Sequence, residues 1–420
     1  MKKILITGVI LLLGAIWLIV FWTQNSKPVI TPDLDFKRPN IPNDQNAFFH
    51  LEKAYRGLDL SDADRLQVLA NLYDGKWDAE TVEAILGANN TALALFRQHA
   101  ASPTLLVPQI QQIPSIENPL KGFEYLESWK NLALLHALHA RSLFEGGGER
   151  ESFEELLAIL KIGHQMQDSG GGLIHYVYSA STKRIAIQQL PNMIGTTSLP
   201  TETLLSFGNR LEVFRANLTG LSNAVKMEFE WNVAVIDAIA SGDLSIPGAS
   251  GFGSSLMGKR PVLNRKETIH TFSEFAQVSL DSVNLYFSDM PVCLAAVTLH
   301  PTNRASVPKL MLSGNATGKI LSWMLLPSHA RVFAFKSEQN SSISAIQTLI
   351  ALRYYKETHG TLPETLNALV PEYLPSLPID DFDGKPLRYS VEKKVIYSIG
   401  KDLEDSGGVE KLDLVFPIRF

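Results

Sequence analysis

Hydrophobic positions along the chain first appear as an unbroken block. Ile4 to Trp22 (ILITGVILLLGAIWLIVFW) is 19 residues without a charge. A helix of that length rises about 28 Å, close to the thickness of a bilayer hydrocarbon core. The block is longer than the apolar core of a signal peptide and ends without a small-x-small cleavage site. It therefore predicts an uncleaved membrane anchor over residues 1–24. Lys2 and Lys3 precede the block, and Trp17, Phe21 and Trp22 gather at its far end. That polarity places the N-terminus in the cytoplasm and everything after residue 24 outside. Ile320 to Leu326, the next candidate, is short and is stopped by Pro327.

After the block the pattern changes twice. Residues 25–45 are proline-rich with little apolar periodicity, which predicts an extended tether. From Asn46 the period becomes helical. AFFHLEKAYRGL sets Phe48, Leu51 and Tyr55 on one face, and Trp77 to Leu86 and Thr91 to His99 follow as short helices. Phe123 to Phe144 carries Leu126, Trp129, Leu132, Leu135 and Leu138 in register. Gly146-Gly147-Gly148 breaks it, and Glu151 to Gln167 returns with acids at the favourable end of the helix dipole. This hairpin is of the tetratricopeptide kind, but no fixed repeat length recurs, so residues 46–339 read as an irregular helical array. Leu173 to Met193, Thr201 to Ala216, Gly220 to Ala240 and Lys266 to Tyr286 continue it, with a Gly/Ser-rich loop over residues 241–260.

Residues 340–420 read differently. Ser342 to Thr358 forms a helix with Ile343, Ile346 and Ile350 on one stripe, closed by Gly360. A short helix spans Pro363 to Val370. Pro386 to Val391, Lys394 to Ile399 and Leu412 to Ile418 read as three strands. The expected fold is therefore mainly α: an N-terminal transmembrane helix, an irregular α-helical array, and a small C-terminal α+β domain of one helix on a three-stranded antiparallel sheet.

Composition narrows the function. The formal net charge of −5 argues against nucleic-acid binding, which calls for a basic face. Cys293 is the single cysteine, so there is no intrachain disulfide and no cysteine-based metal centre; in VCLAAV it reads as a small core residue. GSSLMGKR (253–260) nearly spells a phosphate-binding loop. Arg260 replaces the hydroxyl that would hold magnesium and Pro261 stops the following helix, so no nucleotide is expected. His136 and His139 share a helix face, but a zinc site needs more ligands and a flanking acid, and their neighbours are Leu and Ala. His164 and His175 flank DSGGG (168–172), where they could line a cleft. Tyr176, Tyr178, Ser179 and Lys183 form no recognised nucleophile motif.

The motifs ALRYYKETHGTLPETLNAL (351–369), the turn with Pro378, Asp380 and Gly384, and YSIGKDLEDSGG (397–408) stand in one order. In that order the C-terminal region resembles the globular head of the major pseudopilin of type II secretion, over less than a fifth of the chain. The chain departs from that pattern. Its anchor lies far from the head and holds no glutamate, and Asp381 replaces the turn's second proline. Residues 123–193 are similar to helical regions of uncharacterised bacterial envelope proteins. With the anchor, the resemblance implies a bacterial inner-membrane protein, single-pass, with its folded part in the periplasm.

The resemblance also implies a structural calcium ion in the loop after the Tyr-Ser-x-Gly strand, with Asp402 and Asp413 as side-chain ligands and backbone carbonyls near Leu403. The residues support this independently. Asp402, Glu404, Ser406, Glu410 and Asp413 occupy the oxygen-donor positions of an EF-hand-like window, with Gly407 at its turn. The bland alternative is a solvated acidic turn. Calcium apart, no cofactor is expected. The leading functional expectation is a periplasmic binding or scaffold protein with a protein or peptide partner. The alternatives are an accessory component of a secretion or pilus-like machine, and a cell-envelope hydrolase with its site near His164 and His175.

Overall fold

The computed structural model describes residues 32–73, 77–100, 104–108, 122–244, 263–292, 314–326 and 328–420. The expected anchor (1–24), the phosphate-loop-like stretch (253–260) and Cys293 lie outside the described residues. Among the described residues no helix is long and apolar enough to cross a membrane. The architecture is mainly helical, with one small antiparallel sheet near the C-terminus.

Twelve helices are described: α1 (Ala47–Arg56), α2 (Asp62–Tyr73), α3 (Ala79–Ala88), α4 (Asn90–Ala100), α5 (Glu124–Glu145), α6 (Glu149–Gln167), α7 (Leu173–Thr196), α8 (Thr201–Leu211), α9 (Leu218–Ser241), α10 (Arg265–Ser282), α11 (Ala316–Leu325) and α12 (Ser328–His359). Short polar side chains start several of them. Asn46, Asp78, Asn217 and Asn264 each accept a backbone N–H of the first turn of α1, α3, α9 and α10. Gly242 and Gly360, both in the left-handed region, stop α9 and α12.

The α5–α6 hairpin is the centre. Leu126, Trp129, Leu132, Leu135 and Leu138 are all buried, as their register predicts. Each such side chain contributes about 1.5–3 kcal/mol by leaving water. Gly147, at φ +84°, lets the chain reverse between the two helices. Helix α7 then lies against α6 so closely that a methyl group at Gly163 would meet the Lys183 stem at 2.5 Å.

Buried apolar residues fall into two clusters. The first joins α1–α8, the second half of α12 and the sheet; the second joins α9–α11, the start of α7 and the start of α12. Helix α12 crosses both, with Val332 and Phe333 in one and Ile343, Ile346 and Leu349 in the other. It begins at Ser328, well before the expected Ser342. Its first half buries Lys336, Ser337, Gln339 and Ser341, polar positions that give no apolar stripe to read. Helix α2 escaped prediction for a similar reason: its packed face is only Val68, Asn71 and Leu72.

Strands β1 (Arg388–Ser390), β2 (Val395–Ser398) and β3 (Leu414–Pro417) form the sheet in sequence order. Tyr389, Ile396 and Phe416 stand in line across it, and the last two are buried. All three strands are shorter than their sequence patterns suggest. The short helix near Pro363 is a single 3-10 turn, Leu366–Leu369.

The segment read as a tether is bonded to the body from its first described residues. Leu34 is 1% exposed and sits in the second cluster. The Phe36 N–H donates to Glu230 (3.3 Å) and the Arg38 guanidinium to the Gly170 carbonyl (3.1 Å). Asn46 closes the stretch by bonding both backbone groups of Leu106, at 2.8 and 2.9 Å.

Candidate functional site

The acidic loop between β2 and β3 turns on four residues with positive φ: Gly400, Leu403, Gly407 and Gly408. Asp413 is its inner post. Its buried carboxylate accepts backbone N–H groups from Ser406 (3.3 Å), Gly408 (2.7 Å) and Val409 (3.0 Å). Asp402 faces solvent and accepts from the Glu404 N–H at 3.3 Å; Glu404 and Glu410 are exposed as well. Asp405, not singled out from the sequence, takes the Tyr397 hydroxyl and the Gly407 N–H. Among the described residues no group of three or more His, Cys, Asp or Glu side chains is placed to hold a metal ion. Asp402, Leu403, Glu404, Ser406 and Asp413 thus share one loop. In this arrangement Asp413 spends its oxygens on the loop's own backbone.

The turn at Pro378 to Gly384 is where the C-terminal unit locks to the helices. Asp380 is fully buried and collects five donors: the hydroxyls of Ser341 (2.9 Å) and Ser398 (2.8 Å), the backbone N–H groups of Phe382 (3.1 Å) and Ile399 (3.0 Å), and Arg388 (3.0 Å). Arg388 also grips Asp383. Burial pushes that carboxyl up, but the Arg388 guanidinium together with the Lys385 N–H and ammonium outweighs it and holds the pKa below the usual carboxylate range. Asp381 pairs with buried Lys336 of α12 at 2.8 Å. The carbonyls of Asp381 and Phe382 accept from the N–H groups of Phe287 and Ser288, just past α10. The turn therefore touches α10, α12 and the sheet together.

The histidines acquire partners that the sequence pattern did not show. His136 Nδ1 lies 2.8 Å from Glu155, and His139 lies 3.5 Å from the same carboxylate. Arg97 of α4 pairs with it at 2.5 Å. Burial would raise the Glu155 pKa, but the two imidazoles and the guanidinium overcome it and hold the acid ionised. Counting outward equally from Gly147 along the hairpin sets Glu155 level with His139, so this acid was within reach of sequence reasoning. Arg97 was not, because α4 reaches α5 only through tertiary packing.

His164 and His175 do not meet in a cleft. His175 is enclosed and hydrogen-bonded through Nε2 to the Tyr125 hydroxyl at 2.6 Å, and burial pushes its pKa down to about 4. A methyl group at Gly171 would run into its ring. His164 is also pushed down to about 4, first by burial and then by nearby Lys183. Lys183 is buried and donates to the Gln167 side chain (2.9 Å) and the Arg215 carbonyl (3.3 Å); burial drives its pKa well below the usual lysine value. Ser279 and His329 form a buried Ser–His pair at 3.0 Å. The Ser279 hydroxyl gives its hydrogen to the Phe275 carbonyl, so the imidazole cannot draw that proton. Tyr178 and Ser179 bring no acid–base partner to Lys183. These groups act as packed interior polar residues.

The open concave feature lies elsewhere, between the N-terminal end of α6 and α8. A hollow of 290 Å³ is lined by Arg150, Phe153, Glu154, Glu202, Phe207 and Arg210. It continues into a wider depression along Leu205, Asn209 and Val213. The floor is aromatic and aliphatic, and the rim carries both charge signs. Arg210 and Glu154 face each other as a paired fork. Val213 is 65% exposed. Such a groove suits an apolar side chain flanked by polar or charged neighbours.

No family model, curated protein or solved structure matches the chain.

Proposed function

We propose that the protein is a binding scaffold held at the inner membrane by residues 4–22. Its helical body presents the α6–α8 groove to a protein or peptide on the periplasmic side. The groove is the observation that carries this reading: it pairs an apolar floor with a mixed-charge rim, lines its depression with half-buried Leu205 and leaves Val213 uncovered. The locked turn at Asp380 gives the C-terminal unit its part. Bonded to α10, α12 and the sheet at once, it serves as a brace for the body. This use of the pseudopilin-like head favours a scaffold over a role in a secretion or pilus-like machine, which would draw on the head alone. A structural calcium in the acidic loop belongs to the same proposal. It would draw on Asp402, Glu404, Ser406 and the Leu403 carbonyl, with Asp413 released from part of its backbone bonding. A photo-crosslinking residue at Leu205 or Val213 in the living cell tests the groove. A discrete adduct from both positions, absent from the exposed Leu66 on α2, is expected. Identical products from all three positions would overturn the reading.

A further inference from the structure

We infer that the docked segment 32–38 fixes which way the body faces, with the 168–172 loop toward the lipid surface and the α6–α8 groove away from it. The inference rests on the proposed anchor.

Only Thr23 to Thr31 lie between the end of the apolar block and Pro32, where the chain is already seated. Ten backbone steps span at most about 35 Å. A folded body of this size has a radius of gyration of about 21 Å. Even fully extended, the leash is shorter than the diameter that radius implies, roughly 42 Å or more. The body cannot turn over, and the seat of the leash stays near the membrane.

The seat is defined by three contacts. Leu34 is buried in the same cluster as Leu173, Tyr176 and Phe272; Phe36 is bonded to Glu230; Arg38 is bonded to the Gly170 carbonyl. Two of these involve the loop and first turn that follow the C-terminal end of α6. The hollow of the groove lies toward the other end of the same helix, through Arg150, Phe153 and Glu154, while its outer depression runs back past α8 to Val213. From Glu154 to Gln167 an α-helix rises about 20 Å. Helix α6 therefore acts as a strut between the leash and the groove. Laying the groove on the bilayer would need chain to cover that rise and the thickness of the body. The partner this geometry fits is a water-soluble polypeptide approaching from the periplasmic side, not a segment embedded in the same bilayer.

The test uses the full chain with Cys293→Ser, which leaves no cysteine, reconstituted in liposomes whose headgroups carry an energy-transfer acceptor. A donor is placed at Asn223→Cys, beside Asp168 in the structure, or at Ser206→Cys in the groove. Transfer from Asn223→Cys is expected to exceed that from Ser206→Cys roughly twofold, given the ~20 Å strut. Equal or reversed transfer from protein that floats with the liposomes overturns the orientation and leaves the anchor standing. Protein that fails to float overturns the anchor and the inference with it. A Gly/Ser insert of about 30 residues between Thr31 and Pro32, which by itself averages about 30 Å from end to end, is expected to erase the difference. Persistence of the difference with the insert would mean that the leash does not set the orientation.

Discussion

Replacing Asp380 by alanine probes the joint on which the body depends. The carboxylate is wholly buried, and its two oxygens serve two hydroxyls, two backbone N–H groups and Arg388. Alanine leaves the N–H groups of Phe382 and Ile399 buried without an acceptor, at about 1–3 kcal/mol each. Ser341 can turn its hydroxyl elsewhere, and Arg388 keeps Asp383. The loss then falls at about 4 kcal/mol, within the range for breaking a buried charged pair. With an unfolding entropy near 2.1 cal/mol/K per residue, the melting temperature drops by about 5 °C. Urea unfolding of residues 25–420 measures the loss directly. Asp402→Ala, on the solvent side of the acidic loop, is the control and should change stability by less than about 0.5 kcal/mol in metal-free buffer. If Asp380→Ala lost less than about 1 kcal/mol, or no more than the control, the joint would not be holding the unit to the helices and the reasoning would fail.

Acid should weaken the fold well above the carboxylate range. His175 and His329 have folded pKa values of about 4 and about 3, against an ordinary 6.5, because burial disfavours the imidazolium. The unfolded chain therefore takes up these protons first, so their contribution is intact above pH 6.5 and is lost as pH falls toward 4. At pH 5 each removes about 2 kcal/mol, and His329→Gln should flatten that limb of a pH–stability curve. Lys183→Met should raise stability at pH 7 by roughly 1–3 kcal/mol, since a buried amine with no carboxylate partner is exchanged for packing. The gain should shrink as pH nears the ordinary lysine value, where the unfolded chain loses the same proton; a destabilised variant at pH 7 would count against it. Millimolar calcium should raise the melting temperature over an EDTA control if the acidic loop binds it with micromolar affinity, by about 4 kcal/mol of stability. Asp402→Ala should abolish the shift, and equal melting in both buffers would remove calcium from the proposal.

Much of the architecture was legible because its signals are local. The Leu and Trp positions of α5 repeat at helical spacing, and the three glycines after it mark the reversal. The strand pattern of the last residues matched a real, though shorter, sheet. What stayed hidden was tertiary. The front of α12 buries Lys336 and Gln339, which find their partners only once the C-terminal turn and α6 arrive. The proline-rich stretch after the N-terminal apolar block looked like free tether because its docking rests on one leucine, Leu34, and on hydrogen bonds from Phe36 and Arg38. Of the site residues, Asp413 was found, but its bonds to the loop's own backbone were not foreseen, since a carboxylate that wraps a loop around its own backbone has the same spacing as one that wraps a cation. The groove could not be read at all. Phe153 belongs to α6 and Leu205, Phe207 and Arg210 to α8, and nothing in their spacing says that the two helices leave a hollow between them.

The most direct measurement is the affinity of the partner found by crosslinking for the purified protein, compared with that for Leu205→Asp, Val213→Asp and Leu66→Asp. Placing a carboxylate on the groove's apolar floor should weaken binding at least about tenfold, the level expected when a buried apolar contact is lost at an interface. Leu66→Asp should bind as the parent does. Unchanged affinity for both groove variants would contradict the account, because the partner would then be held by some other surface.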